Sequence, residues 1–192
     1  MTNSPDFTPK AVLLDRDGVI NFDSPDYILT PDQWLPVPGS LEAIARLHAA
    51  GIRIAIVSNQ SALGRGMVDR DTFNAIHGKM MLAIEQAGGF ISHVAYCPHG
   101  PDDCCSCRKP LPGMVFESLA ALGIPDSPEQ ALFIGDSVRD VQAAFAARVP
   151  AMLVQSGYGD SDAILQKSRQ LMPEIRAFAD LASAVDFVLG DS

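Results

Sequence analysis

The chain has 192 residues, 47% of them hydrophobic and 19% charged, a balance that excludes disorder and is enough for one domain with a substantial core. A formal net charge of -9 argues against a general nucleic-acid or acidic-membrane partner, so an anionic substrate would need a local cluster of Lys and Arg. The N-terminus MTNSPDFTPK is polar and no apolar run approaches the roughly 18 residues of a membrane span, which predicts a cytoplasmic protein.

Residues 1–9 read as a loose tail, and the remainder as a single domain. Apolar runs at 11–14, 52–57, 93–96, 131–134 and 151–154 predict five strands. Helical stripes lie between them. Leu41, Ile44, Ala45 and Leu47 lead to Gly51, and Phe73, Ile76, Met80 and Ile84 are stopped by Gly88-Gly89. Met114, Leu119 and Leu122 are closed by Gly123, Val138, Val141, Ala144 and Phe145 form a fourth stripe, and a last helix is expected over 180–188. Strands alternating with helices imply βαβ crossovers and a parallel sheet covered on both faces. The proline-containing stretch 21–38 lacks periodicity and reads as a loop excursion able to cover a site at the end of the first strand.

Four polar clusters follow four strands, at the sheet edge where open α/β folds bind ligands. The first is Asp15-Arg16-Asp17-Gly18, in which alternation turns Asp15 and Asp17 the same way. The second is Ser58-Asn59-Gln60-Ser61, the third Arg108-Lys109-Pro110, and the fourth Gly135-Asp136-Ser137-Val138-Arg139-Asp140. Each alone is compatible with an ordinary turn or helix start. Together they supply the parts of phosphoryl transfer: Asp15 to attack, Asp17 as acid and then base, Ser58 and Lys109 to donate to phosphate oxygens, and Asp15 with Asp136 to hold magnesium.

All four cysteines lie within 97–107, beside His99. A disulfide framework would scatter them to close long loops, whereas crowding beside a histidine favours a metal. Cys97-x-His99 and Cys105-x-Cys107 offer three thiolates and an imidazole, a donor set suited to zinc, with Cys104 as a competing thiol. His48, His77 and His93 fall at ordinary surface or core positions.

The segments LLDRDGVIN (13–21), SNQSALGRG (58–66), CPHG (97–100), CSCRKPLPGM (105–114) and GDSVRD (135–140) resemble the haloacid dehalogenase superfamily of aspartyl phosphatases. The likeness extends over 10–155 and is to the sugar bisphosphate phosphatases in particular. It implies a Rossmann-like parallel sheet with helices on both faces and little or no cap, an aspartyl-phosphate on Asp15, and two metals. Magnesium would be held by Asp15, Asp17 and Asp136. Zinc would be held by Cys97, His99, Cys105 and Cys107, because the family pattern places the C-x-C pair directly before Arg-Lys-Pro. The implied reaction is removal of the 7-phosphate from a heptose 1,7-bisphosphate during synthesis of nucleotide-activated heptose, by a monomer without nucleic-acid or membrane partners. The expected substrate contacts are Asp23, Asp26, Asn59, Gln60, Ser61, Arg65, Arg108 and Ser137.

The chain departs from the family pattern at two positions. Ser137 stands where Lys is usual, so the interaction a lysine would make there is either missing or supplied by Arg139. Ala62 stands where Gly is usual. A related reading, a histidinol-phosphate phosphatase, fits less well, because SALGRG (61–66) lacks the Asp after Gln of those enzymes. A phospho-receiver domain would carry its acceptor on a later strand and needs no zinc loop, and a zinc nucleic-acid module conflicts with the acidic charge.

Overall fold

The computed structural model describes residues 8–191, so positions 1–7 of the expected tail lie outside the described residues. Six parallel strands form one sheet in the order β3-β2-β1-β4-β5-β6. They are β1 (Ala11–Leu14), β2 (Arg53–Asn59), β3 (His93–Cys97), β4 (Ala131–Gly135), β5 (Ala151–Val154) and β6 (Arg176–Phe178). Seven helices connect and cover them: α1 (Ser40–Ala49), α2 (Ser61–Gly64), α3 (Arg70–Gln86), α4 (Gly113–Ala121), α5 (Val138–Ala146), α6 (Ser161–Leu171) and α7 (Leu181–Leu189).

β1 is central, pairing with β2 and β4, and each of its four residues is wholly buried. Alternation sends Val12 and Leu14 to one face, where α1, α3 and α7 cover them, and Ala11 and Leu13 to the other, under α4 and α5. Successive strands are added outward in one direction from β1 to β3 and in the opposite direction from β4 to β6, and this switch between β1 and β4 opens a crevice at their carboxyl ends.

The five expected strands are present. β2 runs two residues further than its apolar core, so Ser58 and Asn59 are themselves strand residues. α6 and β6 are additional to the expected elements. Only Ser168 of α6 is buried, and β6 is three residues long with Arg176 exposed, so neither gives a strong hydrophobic signal. The stretch 21–38 is a strap with a single 3-10 turn at Pro31–Gln33, fastened where Phe22 N–H donates to Leu35 O (3.0 Å) and Val37 N–H to Ile20 O (2.9 Å).

Candidate active site

A cleft of 280 Å³ lies at the carboxyl ends of β1, β2 and β4. It is lined by Asp15, Asp17, Ser58, Lys109, Asp136 and the strap residues Asp23, Ser24, Pro25, Tyr27 and Ile28, among others. Asp15 leaves β1 with its backbone N–H donating to Ile134 O (3.0 Å), so its position follows directly from β1–β4 pairing. Lys109 arrives from the loop after β3. Asn59 fixes it there by accepting from its backbone N–H and donating to its carbonyl, both at 3.0 Å.

Lys109 is buried, and its Nζ meets Asp15 Oδ1 at 2.9 Å, Asp140 Oδ1 at 2.6 Å and Val57 O at 2.8 Å. A buried ammonium costs several kcal/mol unless it is paired, and this one is paired on three sides. Asp136 stands beside them, packed so closely on Gly157 and Gly18 that a Cβ at either would collide with its carboxylate. Gly18, at φ +79, also makes the turn after the two aspartates.

Asp15, Asp136 and Asp140 bring their oxygens within 4.8 Å of one another. Three carboxylates against the one ammonium of Lys109 leave an excess of two negative charges. Burial, with Asp140 as the next acidic influence, raises Asp15 to about 7 against the pull of Lys109, and burial with Asp140 and Asp15 raises Asp136 to about 9. The set therefore fits a hard divalent cation.

Asp17, expected among the magnesium ligands, has its carboxylate outside this group. It accepts from Arg16 Nε and Nη2, Asn21 Nδ2 (2.9 Å) and Gln60 Nε2 (2.8 Å). Burial pushes its pKa up, but Arg16 and these donors outweigh burial and hold it below the ordinary carboxylate range. Asp140 occupies the third acidic position instead. As the third residue of α5 it reaches back to accept from Ser137 N–H (2.9 Å) and Ser137 Oγ (2.6 Å). The Ser137 hydroxyl is thus committed to capping α5, while Arg139 lines the cleft.

Of the expected substrate contacts, Asp23, Asn59, Gln60, Ser61, Arg108 and Ser137 line the cleft; Asp26 and Arg65 do not. Arg65 ends α2, exposed on the side of the Gly100 loop, because the helical turn of 61–64 carries it past the opening. Ala62 sits within that helix, where its Cβ needs no unusual backbone. Arg108 and Arg139 both also line an adjoining 270 Å³ cavity with Gly100, Cys105 and Leu111.

The cysteine loop converges as expected. Cys97 Sγ lies 3.0 Å from Cys107 Sγ and 3.6 Å from Cys105 Sγ, and His99 Nδ1 lies 3.4 and 3.3 Å from Cys97 and Cys107. A tetrahedral zinc with Zn–S near 2.3 Å separates its ligands by about 3.8 Å, close to this set. Arg108 N–H donates to Cys105 Sγ at 3.4 Å, a contact that supports a thiolate. Cys104, at φ +49, turns its exposed sulfur away towards Asp102 O. The other histidines contact Phe90 (His48), Tyr96 (His77) and Glu117 (His93), in line with ordinary packing roles.

Residues 12–148 match the model of the haloacid dehalogenase-like hydrolases. The chain belongs to this family. It is 48% identical over 150 residues to D-glycero-beta-D-manno-heptose-1,7-bisphosphate 7-phosphatase of Bordetella bronchiseptica, covering 78% of this chain and 83% of the relative. It is 42% identical over 178 residues to the enzyme of the same name from Pseudomonas aeruginosa, covering 93% and 97%. A crystal structure of D,D-heptose 1,7-bisphosphate phosphatase from B. bronchiseptica, complexed with magnesium and phosphate, superposes with a TM-score of 0.82 at 40% identity. That match covers 95% of this chain and 99% of the other.

Proposed function

We propose that this chain is a magnesium-dependent phosphoric monoester hydrolase that removes the 7-phosphate of D-glycero-D-manno-heptose 1,7-bisphosphate, a step towards nucleotide-activated heptose for lipopolysaccharide or another surface glycan. The observation that carries this reading is the buried Asp15–Lys109–Asp140 cluster, which opens into a cleft flanked by Arg108 and Arg139. The names of the relatives support the same substrate and point to its β anomer.

Asp15 attacks phosphorus; the bond from phosphorus to the sugar oxygen breaks, and that oxygen takes a proton from Asp17. In the second step water attacks the aspartyl-phosphate, Asp17 takes the proton from water, and Asp15 leaves as carboxylate. Asp17 stands ionised in the ligand-free protein, ready for the base role. A phosphoryl dianion beside it favours the protonated form needed first. Ser58 Oγ and Lys109 Nζ steady the phosphoryl oxygens. Asp15 and Asp136 would hold magnesium, with Asp140 holding Lys109; the ion supplies charge neutralisation at the phosphoryl group.

Arg108 and Arg139 are assigned to the uncleaved phosphate, since guanidinium forks grip phosphate bidentately. Cys97, His99, Cys105 and Cys107 would hold a structural zinc that fixes Arg108 and Lys109. We take the whole chain as one phosphatase domain acting as a monomer. A cytoplasmic location suits its thiolate site, and no helix among the described residues is long and apolar enough to cross a membrane.

Comparative kinetics test the substrate. We expect kcat/KM for heptose 1,7-bisphosphate to exceed that for histidinol phosphate by on the order of 10² or more, because only the former brings a second phosphate to the guanidinium pair of Arg108 and Arg139. A preference for histidinol phosphate by a similar factor would overturn the heptose assignment.

The acidic cluster makes a separate prediction. Asp15 and Asp136 have folded-state pKa values raised above the ordinary 3.8, so magnesium-free protein loses stability as pH climbs from about 4 through about 7 and about 9. At low pH magnesium must displace protons, and at high pH it finds carboxylates. The gain in melting temperature on adding magnesium should therefore be larger at pH 8.5 than at pH 6, on the order of a few degrees. The scan needs magnesium-free buffer without a chelator, which would strip the thiolate site. Equal gains at both pH values would contradict the cluster's role.

A further inference from the structure

Asn21 is wholly buried beneath the strap, yet all its side-chain groups are used. Its Nδ2 donates to Asp17 Oδ1 and to Phe22 O, both at 2.9 Å, and its Oδ1 accepts from Trp34 Nε1 at 3.0 Å. An indole nitrogen can only donate, so a flipped amide would set two N–H groups against each other. Trp34 therefore fixes which end of Asn21 faces Asp17. The indole is itself anchored: Trp34 is 1% exposed, and Lys79 Nζ on α3 donates to Trp34 O (3.0 Å) and Pro31 O (2.7 Å). α3 is in turn fixed to the sheet by Phe73, Ile76, Met80 and Ile84. A contiguous chain of contacts thus runs from a rigid helix to one oxygen of Asp17.

We propose that Trp34 and Asn21 are positioning residues for the phosphatase reaction, aiming the Asp17 carboxyl at the leaving oxygen through the hydrogen bonds Trp34 Nε1–Asn21 Oδ1 and Asn21 Nδ2–Asp17 Oδ1. Arg16 and Gln60 also bind Asp17, and both line the cleft itself. Asn21 supplies the restraint from the strap side, so the covering segment also orients the proton donor. The proposal rests on Asp17 being that donor.

The test uses leaving-group dependence in Trp34→Phe, which keeps an aromatic ring and deletes the N–H. A sugar oxygen needs a proton as it departs, whereas nitrophenolate leaves without one. We expect kcat/KM for the heptose bisphosphate to fall about 10-fold or more, and that for nitrophenyl phosphate less than about twofold, because a small misplacement of a proton donor is costly only where the proton is needed. Asn21→Leu should show the same selectivity, and adding Trp34→Phe to it should bring no further loss. A loss shared equally by both substrates, or no loss, would overturn the proposal.

Asp17→Asn separates the donor assignment from the positioning role. If it spares the sugar phosphate, the donor assignment falls and the positioning role with it. If it is selective while Trp34→Phe is not, only the positioning role falls. A second readout leaves Trp34 unaltered: it is the sole tryptophan, so its indole N–H gives one magnetic-resonance signal. That signal should move between the unaltered protein and Asp17→Asn, and an unmoved signal would count against the connection.

Discussion

Asp15→Asn is expected to lower turnover of every phosphate ester by about 10⁴-fold or more, leaving the fold intact. An amide is a poor nucleophile and cannot form the acyl-phosphate, so even a good leaving group should not rescue the variant. The fold should survive because Asp15 is held by its backbone bond to Ile134 O and by β1 pairing, neither of which needs the carboxylate. Removing one negative charge also relieves part of the crowding among Asp15, Asp136 and Asp140. Steady-state kinetics beside a thermal melt would check both halves. Near-normal activity would mean that another group attacks phosphorus.

The second large effect belongs to the cysteine loop. Protein purified without added metal should carry about one zinc per chain, and Cys107→Ser should lose it along with about 10²-fold of activity. The activity falls because Cys107 immediately precedes Arg108 and Lys109, and loop folding is linked to metal binding. Arg108 also donates to His99 O at 2.8 Å, so an unfastened loop releases its guanidinium from both ends. Cys104→Ser should keep zinc and activity, since its sulfur is exposed and outside the converging set. Elemental analysis of both variants decides the matter; zinc retained in Cys107→Ser but lost in Cys104→Ser would reverse the ligand assignment.

Most of the site is legible in the sequence because it is built from strand ends. Asp15, Ser58 and Asp136 each follow a short apolar run, and a parallel sheet necessarily gathers such ends at one edge. Asp140 is harder to place. It lies four residues beyond Asp136, and only the helical turn of α5 brings its carboxylate back beside Lys109. Arg65 misleads for the same kind of reason, since α2 carries it past the cleft, whereas Arg139 reaches the opening. The Trp34–Asn21 bond spans thirteen positions of a strap with no periodicity, so nothing in the sequence pattern announces it. α6 and β6 are hard to see because helix and strand are recognised by a buried stripe, and both lie largely at the surface beyond β5.

The proposed mechanism turns on Asp15 carrying the phosphoryl group. The direct measurement is a rapid quench of Asp17→Asn mixed with a stoichiometric nitrophenyl phosphate, followed by peptide mapping. Attack needs only Asp15, whereas release needs a base for water, so this variant should accumulate one phosphoryl group on the peptide that contains Asp15. Release of inorganic phosphate with no labelled peptide at any quench time would contradict that role, because it would mean that water attacks the ester directly.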